Sequence, residues 1–144
     1  MHTVPRIVAF CTIAVTLFLC MTSSKAAAAD LDDSTPLLCA FTRAVDCDSE
    51  SGCSDTTLET LDLPPFFKVD FKNNMITDVE AIGGRIPQKK TPIKTLQHMD
   101  GMIVLQGIEL RGWTMLISEK SGIATLTASD DDEAFVLFGV CTKL

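Results

Sequence analysis

The 144-residue sequence has two histidines, and only His98 lies beyond the first 29 positions. That scarcity removes most acid–base and metal chemistry at the outset. A general base needs a nucleophile and an orienting carboxylate within reach, and the nearest carboxylate in sequence, Asp100, belongs to a turn that faces water. Zinc sites draw on tight C-x2-4-C pairs backed by histidine or further cysteine, whereas Cys39, Cys47 and Cys53 are spaced C-x7-C-x5-C. No serine stands in a G-x-S-x-G elbow. The acidic run Asp130–Glu133 lacks the glycine and distal glutamate of a calcium loop. No catalytic residue, metal or cofactor is therefore expected.

Basic charge is also scarce. Arg6 and Lys25 stand in the first 29 residues, leaving 10 Lys and Arg against 19 Asp and Glu downstream, a net charge of −9. Such a surface excludes nucleic acid as a partner, because phosphate binding needs a basic face. Long apolar runs are missing too, with one exception. Ile7–Met21 is apolar for 15 residues, preceded by Arg6 and followed by Ala26–Ala29. A span needs about 20 apolar residues, and the charged, apolar and small-residue order is that of a secretory signal. Cleavage is expected after Ala29, leaving no membrane span and a product exported to the periplasm or the exterior. Residues 30–36 read as a flexible acidic lead-in, and 37–144 as one domain.

Helical periodicity is absent downstream, apart from a short helix expected over Asp55–Leu61 and capped by Asp55. The rest reads as strands. Phe67, Val69 and Phe71 alternate with Lys68 and Asp70, the clearest period of two in the chain. Asn73-Asn74 and Asp100-Gly101 mark hairpin turns, because both types of residue tolerate positive φ. Eight strands are expected, beginning near Leu37, Phe66, Met75, Ile93, Met102, Trp113, Ile123 and Ala134. Successive hairpins imply an all-β, antiparallel up-and-down meander closing into a small barrel; a β-sandwich is the alternative.

Four cysteines remain after cleavage, and an even count in an exported chain implies two disulfides. Cys47–Cys53 would bracket a short polar loop, and Cys39–Cys141 would join the first strand to the last. In a closed barrel those two strands are neighbours.

Several strands are apolar on both faces, among them Met102–Ile108, Trp113–Ile117 and Phe135–Val140. The excess implies a covering segment, a partner surface or an apolar cavity. Residues 46–65 are long enough to cover one such face or one barrel end through Leu58, Leu61 and Leu63. Phe67, Trp113 and Met115 are the residues expected in the core or against a ligand. Arg85, Lys89, Lys90 and Lys94 gather positive charge beside Gly83-Gly84, a candidate anion-binding loop.

The early Leu38-Cys39-Ala40, Gly112-Trp113 with Ile117 beyond it, and the closing Phe138-Gly139-Val140-Cys141-Thr142 resemble small exported bacterial proteins. The resemblance implies export and fold and no mechanism. Gly112-Trp113 is also similar to the lipocalin glycine–tryptophan signature, but that signature opens the barrel and here the pair begins the sixth strand. The functional expectation is a non-enzymatic exported domain binding a protein partner or a small apolar or anionic ligand. A structural envelope protein and an enzyme with a dispersed site are the alternatives.

Overall fold

The computed structural model describes residues 30–79 and 89–144. The signal-peptide expectation and Arg85, with Gly83-Gly84, fall outside those residues. Ten antiparallel strands form one curled sheet: β1 (Leu37–Asp48), β2 (Gly52–Thr56), β3 (Phe66–Asp70), β4 (Met75–Asp78), β5 (Lys90–Pro92), β6 (Thr95–Met99), β7 (Met102–Ile108), β8 (Gly112–Ser118), β9 (Ile123–Ser129) and β10 (Glu133–Lys143). Their order is β5-β4-β3-β1-β10-β9-β8-β7-β6, with β2 beside β1. The two outermost strands, β5 and β6, are consecutive in sequence.

Only Ile93 and Lys94 separate them, and these two residues carry the chain from one sheet edge to the other. The Ile93 amide donates to the Asn74 carbonyl at 2.8 Å, and the Lys94 amide to the Gln106 carbonyl at 2.8 Å. The strand expected from Ile93 is β6, which starts at Thr95, while β5 lies before that start and has no counterpart among the eight expected strands. Pro92, which has no N–H to give the ladder, ends β5. With β5 and β6 taken as one, the meander has its eight positions and curls into a barrel.

The strand β2 has no counterpart in the sequence reading. Its residues, Gly-Cys-Ser-Asp-Thr, have no apolar alternation to announce a strand. Pairing is imposed by β1 in the register Cys47↔Cys53. The other edge-sharing partner, β3, takes Leu37–Ala40 of the same β1 edge. The short helix over Asp55–Leu61 does not form among the described residues. Asp55 ends in β2, and the following residues make turns in which the Thr57 hydroxyl accepts the Thr60 amide at 3.1 Å. Pro64-Pro65 stops that segment before a second turn could build.

Both expected disulfides are present, Cys39–Cys141 across 102 residues and Cys47–Cys53 across 6. The long one lies inside, at the β1–β10 pair. Disulfides of this kind belong to an oxidising, non-cytoplasmic compartment. No helix among the described residues is long and apolar enough to cross a membrane.

The core sits within the curl. Val69 and Phe71 from one wall meet Trp113, Met115 and Ile117 from the other in a single buried cluster. Phe67 is half-buried against it and meets Phe41 edge-to-face, with centroids 5.6 Å apart. Leu58, Leu61 and Leu63 also pack on the cluster, as a covering segment should. The opposite end is closed by the lead-in. Leu31 is buried, and its amide donates to the Glu119 carbonyl at 2.6 Å. Lys143 reaches Asp32 at 3.1 Å. The acidic lead-in, expected to be flexible, is anchored by these contacts, because Leu31 gains more by burial than exposure would allow.

Candidate functional site: a cavity at one end of the barrel

Alternation sends every second residue of each strand inward. At the end where Leu31 docks, the inward residues fill the space. At the other end they do not, and a cavity of about 750 Å³ opens there. Its apolar wall comes from four parts of the sheet: Phe67 and Ile76, Trp113, Leu126, and Phe135 with Leu137. Leu61 and Leu63 of the covering segment complete it. The mouth is polar, formed by Asp46, Asp62, Lys89, Lys90, Glu109, Arg111 and Glu133.

Trp113 is the only tryptophan of the chain. It is 9% exposed, and its indole N–H donates to the Thr91 hydroxyl at 3.2 Å. That acceptor comes from β5, which the sheet closure brings alongside. The ring owes its place to Gly107, its partner across β7–β8. A Cβ at Gly107 would stand 2.3 Å from Trp113 Cζ2 and 2.7 Å from the Pro92 carbonyl oxygen. Met115, two residues further on, is wholly buried deeper in the core and does not line the cavity.

The basic candidates divide. Lys89 and Lys90 lie at the mouth, while Lys94 is not among the lining residues. Lys89 is already matched, 2.8 Å from the Asp62 carboxylate. Arg111 is matched as well, 2.9 Å from Asp130 and 2.6 Å from Glu133, with its guanidinium 5.8 Å from the Phe135 ring centroid. The acidic run is thus a turn tied down by Arg111. Asp130 Oδ1 accepts the Glu133 amide at 3.1 Å, and such backbone donors hold the Asp130 carboxyl below the usual range.

Two features of the mouth escaped the sequence reading. The three-residue link between β7 and β8 carries Leu110 at φ 40° and fully exposed beside the cavity. More consequential is Asp46. A register shift between Phe41 and Arg43 reverses the alternation of β1. Ala44 and Asp46 then face inward opposite Leu137 and Phe135, and Arg43 and Val45 face out. β-bulges re-aim side chains in this way beside functional sites. Nothing in a run of Ala44-Val45 signals which of the two is buried.

His98 lies at the closed end, remote from the cavity. Its Nδ1 is 2.7 Å from Glu119 and its Nε2 is 3.4 Å from Asp33. The hydrogen bond to Glu119 raises its pKa above the ordinary value, burial opposes the rise, and Asp33 adds to it. The group clamps the lead-in. Among the described residues, no cluster of histidine, cysteine and carboxylates is arranged to hold a metal.

Comparison with protein families, with curated proteins and with solved structures gives no match.

Proposed function

We propose that this chain is an exported, non-enzymatic binding domain whose cavity takes one small, mainly apolar ligand. The observation that carries the proposal is the contrast between the two barrel ends: one is plugged by Leu31, and the other holds about 750 Å³ walled by aromatic and aliphatic side chains. Pockets that bind small molecules fall at about 300–1,000 Å³ and are mostly apolar with a few polar groups at the rim. Membership among small exported bacterial proteins, in the periplasm or outside the cell, is part of the same proposal.

The anionic variant of this reading has less support, since Lys89 and Arg111 are both neutralised by carboxylates. The reading that competes is a protein partner on the outer wall. Ile123, Val140 and Phe138 are exposed there, at 60%, 55% and 40%. Ile123 and Val140 pair across β9–β10, so two of the three adjoin on one face.

A fluorescent apolar probe, 1-anilinonaphthalene, separates the two. Saturable 1:1 binding that is abolished by Ala128→Phe, a change that fills the cavity, supports the ligand reading. Binding that is unchanged in Ala128→Phe assigns the probe to the outer wall instead.

A further inference from the structure

The mouth of the cavity carries an imbalance of charge. Four carboxylates line it, from Asp46, Asp62, Glu109 and Glu133, against Lys89, Lys90 and Arg111. Lys89 is matched by Asp62 and Arg111 by Glu133. Lys90 stands on the exposed face of its strand, paired with Thr77, while its neighbour Thr91 points in to Trp113. Two carboxylates are left without an ion pair or side-chain hydrogen bond among the described residues: Glu109, exposed on the β7–β8 link, and Asp46, half-buried and facing the cavity. The position of Asp46 is not incidental. Without the bulge before Arg43, the inward residues of this part of β1 would be Arg43 and Val45 in place of Ala44 and Asp46.

A second carboxylate lies near the cavity without lining it. Asp78 is 8% exposed, and its Oδ1 has no hydrogen-bond partner among the described residues. It follows Ile76 on the inward face of β4 and pairs with Phe67, and both of those residues line the cavity. Burying a carboxylate without a partner costs several kcal/mol, so such a group is retained where something brings its counter-charge. The aromatic wall completes the chemistry. Trp113, Phe67 and Phe135 line the cavity, and aromatic rings attract cations through their quadrupoles; the Phe135 ring already has the Arg111 guanidinium 5.8 Å from its centroid. The net charge of −9 beyond residue 29 draws cations toward the mouth.

We propose that the ligand is an organic cation, an apolar body bearing an ammonium group, and that Asp46 is its counter-charge at the mouth. The inference rests on the cavity being a ligand site at all. The experiment therefore keeps the two apart by using three molecules of equal length: octylammonium, 1-octanol and octanoate. Trp113, as the sole tryptophan, reports binding through its emission. Octylammonium should bind at least about tenfold more tightly than octanol, the worth of a charge-assisted contact, and octanoate should bind least. Asp46→Asn should remove that preference and leave octanol binding as it was. Asp131→Asn, on the outer acidic turn, should alter neither.

Octanol and octanoate binding as tightly as the amine would overturn the charge assignment and leave the cavity reading intact. So would an amine preference that survives Asp46→Asn. If none of the three molecules moves Trp113 emission or is taken up in equilibrium dialysis, both the inference and the reading beneath it fall.

Discussion

Gly107 and Trp113 show how one missing side chain shapes the cavity. The indole lies where a Cβ of residue 107 would be, so Gly107→Ala forces the ring toward the open space. The expected cost is about 1–3 kcal/mol, as for other overpacked cores, with a shift in Trp113 emission. Urea melts read the first and fluorescence the second. Trp113→Ala should cost about 3 kcal/mol, near the lower end for a buried aromatic, because the side chain lines the cavity and is not packed on every side. Phe67→Ala should cost less, about 1–2 kcal/mol, since the ring is only half-buried. Lys68 is 41% exposed and 3.7 Å from Asp70, so Lys68→Ala should move stability by less than about 0.5 kcal/mol. At this scale the core was legible: Phe67, Val69 and Trp113 announce their faces by alternation. Asp46 was not, because a bulge changes the alternation without changing composition. Thr91 was not, because its contact with Trp113 depends on how the sheet closes.

Among the elements, the disulfides and the lead-in do different work. Cys39–Cys141 ties β1 to β10, and its loop of about 100 residues is worth roughly 4.7 kcal/mol in the chain-entropy model, against about 2.4 for the short Cys47–Cys53 loop. Replacing Cys39 and Cys141 together should therefore lower stability by about 2–5 kcal/mol. Loss of Cys47–Cys53 should cost less, and chemical denaturation of the two double variants tests the order. The lead-in adds a dependence on pH. His98 faces Asp33 and Glu119, with Asp32 and Lys143 paired nearby. Because its pKa is raised on folding, its contribution is fully present below about pH 6.5, the unfolded value. It is lost as pH rises through the folded value. Residues 30–36 should thus become more open to proteolysis at alkaline pH, and His98→Gln should flatten that dependence. A profile that steepens in His98→Gln would contradict the clamp. Both disulfide pairings and the turns at Asn73-Asn74 and Asp100-Gly101 were readable from residue type, Asp100-Gly101 most plainly, with φ values of 50° and 77°. The strand β2 was not, because its pairing comes from Cys47–Cys53 and its neighbour β1 rather than from any pattern of its own. Nor was the anchoring of the lead-in, where a single leucine among acidic residues finds a distant pocket.

For the whole molecule, the account joins export, a disulfide-closed sheet and an open cavity. Export predicts that the protein recovered from its native compartment begins within two residues of Asp30, since the small residues that signal peptidase accepts end at Ala29. N-terminal sequencing that finds Met1 would contradict it. The eight-position meander was legible because its hairpins are local. The cavity was legible only as one of three readings of the doubled apolar faces, since its place and volume depend on how far inward side chains reach at each level, which a strand pattern does not contain. That cavity is the central claim. Native mass spectrometry of the protein from its own compartment tests it most directly. The account predicts one adduct per chain of a few hundred daltons, displaced by octylammonium and missing from Ala128→Phe. Bare polypeptide that also takes up none of the octyl ligands would contradict it.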